Sequence, residues 1–167
     1  MASTLQNQIE RKIPHLKVSA QNILIADDSD DDVCLYTRAF ARAGCFSIQF
    51  VKDGIDVVHY LEGKGLYGDR LAFPFPDMIV LDLKMQRMDG FDVLEWLSKY
   101  REYRHIPVVI LSASILPSDI QRSYDLGAKS FFEKPASFQS LVAICNTIVD
   151  YWGHARRTDP LYATNAN

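Results

Sequence analysis

The sequence predicts an α/β domain: five strands in a doubly wound parallel sheet, each strand followed by a helix. Three observations predict it. Five short apolar runs recur along the chain, segments of helical spacing separate them, and no hairpin signal joins neighbouring runs. Strands that alternate with helices and never turn back on a tight loop run parallel, with right-handed crossovers covering both faces of the sheet.

The first run is Ile23-Leu24-Ile25-Ala26. The helix after it is started by Ser29, has acids in its first turn, carries Val33, Tyr36, Phe40 and Ala43 as its stripe, and ends at Gly44. The second run, Phe46 to Val51, alternates apolar and polar as a half-exposed edge strand does. Asp53 to Leu61 comes next, with Val57, Val58 and Leu61 in helical register. A long connection from Gly63 to Pro76, with three glycines and two prolines, marks either a functional or a mobile segment. The third and fourth runs, Met78-Ile79-Val80-Leu81 and Val108-Val109-Ile110-Leu111, are continuous and rich in β-branched residues, as strands buried on both faces are. Between them Phe91, Leu94 and Leu97 line a helix that stops before Pro107 forces extension. Pro117 to Leu126 reads as a short helix closed by Gly127. Phe131-Phe132 is the fifth strand. Ser137 then caps a helix whose stripe is Phe138, Leu141, Val142, Cys145, Ile148, Val149 and Trp152.

This layout occupies residues 21–152 of a 167-residue chain, leaving a flexible arm over 1–20, a tail over 153–167 and no room for an output domain. No apolar run approaches the ~20 residues of a membrane helix. The first residues lack an apolar signal-peptide core, so a cytoplasmic location is expected. Three scattered cysteines (Cys34, Cys45, Cys145) fit a reducing compartment and read as small buried hydrophobes. His15, His59, His105 and His154 have no metal-ligand spacing and read as surface residues. The net charge of −3 offers no basic excess for nucleic acid. That charge is uneven: residues 21–152 hold 13 basic and 19 acidic side chains, between two mildly basic ends.

Open α/β sheets bind ligands beyond the carboxyl ends of their strands. The first strand ends in Asp27-Asp28, the third in Asp82, the fourth in Ser112 and the fifth in Lys134-Pro135. At an effective dielectric near 20, each pair of like charges 4 Å apart costs about 4 kcal/mol. Protons or a cation must therefore relieve such a cluster. Few carboxylates with open water positions suit Mg²⁺, and Lys134 supplies further positive charge. A carboxylate nucleophile, a metal, a lysine and a hydroxyl are what phosphoryl transfer to an aspartate requires. Asp30, Asp31 and Asp32 either enlarge this acidic pocket or stabilise the helix dipole as first-turn acids, at about 0.3–1 kcal/mol each; the second reading is preferred.

At these residues the chain resembles the receiver domain of bacterial two-component response regulators, of the CheY-like type. The motifs are ILIADDSDDD, VKDG, PDMIVLDLKMQRMDG, IPVVILSAS and SYDLGAKSFFEKP, in that order. The resemblance implies a flavodoxin-like strand order 2-1-3-4-5 and a switch phosphorylated by a sensor histidine kinase. It implies Asp82 as phosphoacceptor and Asp28 and Asp82 as Mg²⁺ ligands with the Lys84 carbonyl, Asp27 acting directly or through water. Ser112 matches the switch hydroxyl, Phe131 the switch aromatic, and Lys134 the lysine before a proline that is commonly cis. The long loop, SYDLGA, the Tyr-Trp end of the last helix and the absent effector domain resemble the stand-alone regulators paired with phytochrome-type kinases. That subgroup implies a homodimer through the fourth helix, fifth strand and fifth helix. With too few spare residues for an output domain, no basic excess and no membrane-length apolar run, the chain is expected to signal by docking to a downstream protein, with neither nucleic acid nor membrane as partner.

Three departures from the family pattern carry expectations. Gln86 stands where the family usually has proline, which leaves the site loop freer. Lys84 puts a cation two residues after the acceptor, where it would screen an acyl phosphate and lengthen its life. Ser114 offers no acid or amide to orient a hydrolytic water. Self-phosphotransfer and slow autodephosphorylation are then the only chemistry expected. Two rival readings are a pseudo-receiver that never takes phosphate and an aspartate-nucleophile phosphohydrolase of the haloacid-dehalogenase kind. The complete Asp28, Asp82, Ser112 and Lys134 set opposes the first; Lys84, where those hydrolases place an acid, opposes the second.

Overall fold

Every apolar run forms a strand, and every helical stripe a helix. In chain order these are β1 (Ile23–Ala26), α1 (Asp30–Arg42), β2 (Ile48–Val51), α2 (Gly54–Glu62), a 3₁₀ turn (Gly65–Gly68), β3 (Met78–Leu81), α3 (Gly90–Lys99), β4 (Val108–Ser112), α4 (Pro117–Asp125), β5 (Ser130–Glu133) and α5 (Phe138–His154). The structure, a computed structural model, describes residues 22–45 and 47–154, the side chains of 152–154 excepted. The arm expected over 1–20, Phe46, the Trp152 side chain and 155–167 lie outside the described residues. Helix α5 continues through His154, two residues into the segment read as tail.

The five strands pair in parallel in the order β2-β1-β3-β4-β5. Successive side chains of a strand point to opposite faces, and the two cores obey that alternation. Leu24, Ala26, Ile79, Leu81, Val108 and Ile110 pack under α2 and α3, whereas Ile23, Ile25, Met78, Val80, Val109 and Leu111 pack under α1 and α5. Being buried on both faces is why β1, β3 and β4 read as continuous apolar runs.

The ladder also sets the height of each strand end. Ala26 pairs with Leu81, and Asp82 N–H donates to the Ala26 carbonyl at 3.0 Å. Lys134 N–H donates to the Ser112 carbonyl at 2.9 Å. The residues just beyond these strands therefore emerge side by side on one edge.

The helix ends behave as their caps dictate. Ser29, Asp53 and Asp89 accept backbone N–H groups at the starts of α1, α2 and α3, the last in a capping box with Asp92. Ser137 Oγ accepts the N–H of Ser140 at the start of α5. Gly127, at φ 101°, takes the left-handed turn after α4.

Two expectations need correction. Cys34 is exposed, although Cys45 and Cys145 are buried. At 100° per residue, Cys34 lies about 200° around α1 from Tyr36, on the outward side. His59 and His105 are exposed, as expected. No described peptide bond is cis, so Pro135 comes after a trans bond. The 63–76 connection is packed. Tyr60, Tyr67 and Phe73 form an aromatic cluster with ring centroids 5.1–6.1 Å apart. Arg70 donates to the Tyr60 and Leu61 carbonyls, each at 2.8 Å. These carbonyls belong to the last turn of α2, where helical partners run out.

Removing a charged donor from such carbonyls costs about 2 kcal/mol. Arg70→Ala should therefore lower stability by about 2 kcal/mol in urea unfolding, with faster amide exchange across 64–76.

Candidate functional site

The carboxyl edge of the sheet brings four acids around one lysine. Lys134 Nζ lies 2.8 Å from Asp27 Oδ2, 2.8 Å from Asp32 Oδ2 and 3.0 Å from Asp82 Oδ2. Asp28 is exposed beside them, and ligand atoms of Asp27, Asp28 and Asp82 all lie within 4.8 Å of one another. Asp27 is 1% exposed and Asp82 5%, while the Lys134 side chain is 17% exposed.

Strand parity explains the convergence. Ala26 and Leu81 point to the α2–α3 face, so Asp27 and Asp82 fall to the α1–α5 side. There Tyr36, buried on α1, donates its hydroxyl to Asp27 Oδ2 at 3.1 Å. Ser29 N–H donates to Asp27 Oδ1 at 2.9 Å, and Lys84 N–H donates to Asp82 Oδ1 at 3.2 Å.

Burial pushes the Asp27 carboxyl up from the ordinary carboxylate range and the charge of Asp82 adds to this, against the hydrogen bonds and charge of Lys134 and the Ser29 N–H. Burial would lower Lys134, but its hydrogen bonds to Asp27 and Asp32 and the charge of Asp82 outweigh it, and the net direction is up. Tyr36 is raised by burial and then by the Asp27 charge, so it stays a proton donor. One ammonium cannot offset four carboxylates. Three carboxylates with oxygens this close, one of them open to water, fit a hard divalent cation.

Ser112 is fully buried at the end of β4, and its Oγ accepts the Ser114 N–H at 3.3 Å. Phe131, paired with Ile110, is partly buried against the same core. Lys84 is exposed, two residues after Asp82.

Two residues join the site against the reading preferred from sequence. Asp32, taken as a first-turn acid, reaches Lys134 as well; its signal was an unusually long acidic run. Tyr36, taken as core, bonds Asp27; its signal was that a buried tyrosine hydroxyl needs a partner. Ser114 Oγ donates to Asp119 Oδ2 at 2.5 Å, so an acid stands near that position after all.

A family model for the response regulator receiver domain matches residues 23–146. The chain belongs to that family. This receiver is 34% identical over 134 residues to the probable methanogenesis regulatory protein FilR2 of Methanothrix harundinacea, covering 78% of this chain and 82% of that one. It is similar to the crystal structure of the phosphorylated cyanobacterial phytochrome response regulator RcpA, at 31% identity and TM-score 0.76, over 83% of this chain and 99% of the other. The Mn(2+)-bound form of response regulator Rcp1 matches at 25% identity and TM-score 0.74, over 83% of this chain and 99% of the other. The receiver is thus a phosphoacceptor of two-component signalling, from a family that binds divalent metal through acidic residues and partners with histidine kinases.

Charge repulsion among buried carboxylates has a measurable signature. In metal-free buffer, Asp27→Asn should raise the thermal midpoint, because it removes one buried negative charge and keeps the side-chain shape. Mg²⁺ at about 100 times its Kd should stabilise the wild type by about 2.7 kcal/mol, and the variant by less. A variant less stable than the wild type without metal would overturn repulsion as the dominant cost.

Proposed function

We propose that Asp82 is the phosphoacceptor of a single-domain response regulator that signals by docking. The observation that carries this is the Asp82 carboxylate, nearly buried, 3.0 Å from Lys134 and inside the three-carboxylate group at the strand ends. A carboxylate oxygen of Asp82 attacks the phosphorus of a phosphohistidine. The P–O bond forms as the P–N bond breaks, and the electron pair stays on the imidazole nitrogen.

The residues suited to hold Mg²⁺ are Asp28, Asp82 and the Lys84 carbonyl, with Asp27 direct or through water. Bound there, Mg²⁺ supplies positive charge to the transferred oxygens. Lys134 is already within contact of Asp82 and offsets the remaining charge. The product adds about −1.5 to −2 charge at pH 7. Ser112 then gives up the Ser114 N–H to bond the phosphoryl group, and Phe131 moves into the space beside it. Ser112 and Phe131 share one face of the sheet, which supports their acting together. The result is a shift between two packings of one fold.

The kinase is a phytochrome-type histidine kinase in this reading, supported by the likeness to the phytochrome response regulator RcpA. The receiver unit is assigned to 21–152, and the protein acts in the cytoplasm; no helix of the described residues is long and apolar enough to cross a membrane. Exposed Tyr124 on α4 and Tyr151 on α5 support a homodimer through α4, β5 and α5.

Acetyl phosphate with Mg²⁺ should add one phosphoryl group to the wild type by intact mass and none to Asp82→Asn, with any dimerisation read by size-exclusion chromatography. Unchanged wild-type mass, together with no binding of beryllofluoride, would sink the proposal. Because Lys84 is exposed beside the acceptor, the phosphorylated wild type should outlast phosphorylated Lys84→Asn. Equal autodephosphorylation half-lives would remove Lys84 from the account.

A further inference from the structure

We infer that Arg87 is a positioning residue for the Asp82 loop, its guanidinium clamping the loop to a buried carboxylate at the start of α2. This rests on the proposed metal and phosphoacceptor roles of Asp82 and Lys84. The chain from Asp82 to Asp89 carries both. Gln86 stands in it without the fixed φ of a proline, yet the structure shows the loop held from three directions.

The first hold is a tight turn. Met88 N–H donates to the Gln86 carbonyl at 2.8 Å, closing three residues around Arg87. Arg87 has φ 62°, the one non-glycine residue with positive φ among the described residues. That left-handed region suits glycine or asparagine and disfavours a long side chain. Something specific must hold an arginine there.

The second hold is electrostatic. Arg87 pairs with Asp53 and lies 3.7 Å from Asp56. The Asp53 residue is 4% exposed, and its Oδ1 is already engaged by the Asp56 N–H at 2.9 Å as the α2 cap. Lys52, its neighbour in sequence, is turned to Asp30 at 2.6 Å. The Arg87 side chain is 59% exposed, but the pair is not an ordinary surface bridge. Removing the guanidinium would leave a buried carboxylate without its cation.

The third hold is backbone contact without slack. Gly54 N–H donates to the Met88 carbonyl at 3.0 Å, and Gly90 N–H to the Leu83 carbonyl at 3.2 Å. A Cβ on Gly54 would stand 2.6 Å from Met88 Cγ, and one on Gly90 2.4 Å from the Asp82 carbonyl oxygen. Met88 is therefore tied to the start of α2, and Gly90, two residues on, sits directly against the backbone of Asp82 and Leu83. A shift at Arg87 reaches residues 82–84 along this short loop and through the Gly90–Leu83 bond, and there the Lys84 N–H holds Asp82 Oδ1. The clamp takes over the rigidity that a proline at position 86 would supply.

The test is Mn²⁺ titration of the full chain by electron paramagnetic resonance, beside acetyl-phosphate phosphorylation at limiting and saturating metal. Arg87→Ala should weaken Mn²⁺ binding about 10-fold, in the range of other residues that orient metal ligands. Its phosphorylation rate should fall at limiting metal and recover at saturation. Arg87→Lys should stay within about two-fold of the wild type, because it keeps the cation. Arg87→Gly relieves the left-handed backbone, so it should fold at least as stably as Arg87→Ala and still bind Mn²⁺ as weakly. Wild-type affinity in Arg87→Gly, or in both variants, would overturn the clamp. A wild type that neither binds Mn²⁺ nor takes phosphate would instead overturn the underlying reading of Asp82.

Discussion

Lys134 faces four carboxylates at the carboxyl edge of the sheet and contacts three of them. The surroundings of the lysine are shaped by that imbalance. Two of the acids are nearly buried, where each unpaired charge costs far more than in water. The protein surrounds Asp27 with Lys134, the Tyr36 hydroxyl and the Ser29 N–H, and Asp82 with Lys134 and the Lys84 N–H. Negative charge still exceeds positive. The surplus suits the edge to a hard divalent cation.

Such a surplus can be held only on a rigid frame, because flexible loops would let the acids move apart. The frame is the parallel ladder. Pairing levels the ends of β1 and β3 at Ala26 and Leu81, and those of β4 and β5 at Ser112 and Glu133, two residues further along the ladder. The loops beyond are short and tied by backbone bonds to their neighbours, as Gly54 is to Met88 and Gly90 to Leu83. The opposite face of the same sheet carries Ser112 and Phe131. One strand layer therefore stands between the charged cluster and the core under α3, and a change in charge on one side can be read as packing on the other.

Much of this was legible in the residue order. Continuous runs such as Met78–Leu81 announce strands covered on both faces, and Ser29, Asp53 and Gly127 announce helix ends. Asp27, Asp28 and Asp82 were legible from their places directly after β1 and β3, at the edge where open sheets bind ligands. Asp32 was not, because it belongs to a helix and meets Lys134 only where α1 turns back over the sheet edge. Arg87 was not either. Its pairing with Asp53 depends on a left-handed turn that an arginine does not advertise. Cys34 was misread by residue type, although helical arithmetic places it outward.

Residue order alone dictates the succession of strands and helices, the parallel sheet and the strand-end positions of the acids. These depend on periodicity and capping, which act over a few residues. Which of the acids share one lysine, which tyrosine supports them and how the Asp82 loop is held depend on the folded arrangement. Those contacts join residues as far apart as Asp27 and Lys134, 107 positions along the chain. Their energies depend on burial and on distances of a few ångströms, which exist only once the sheet has assembled.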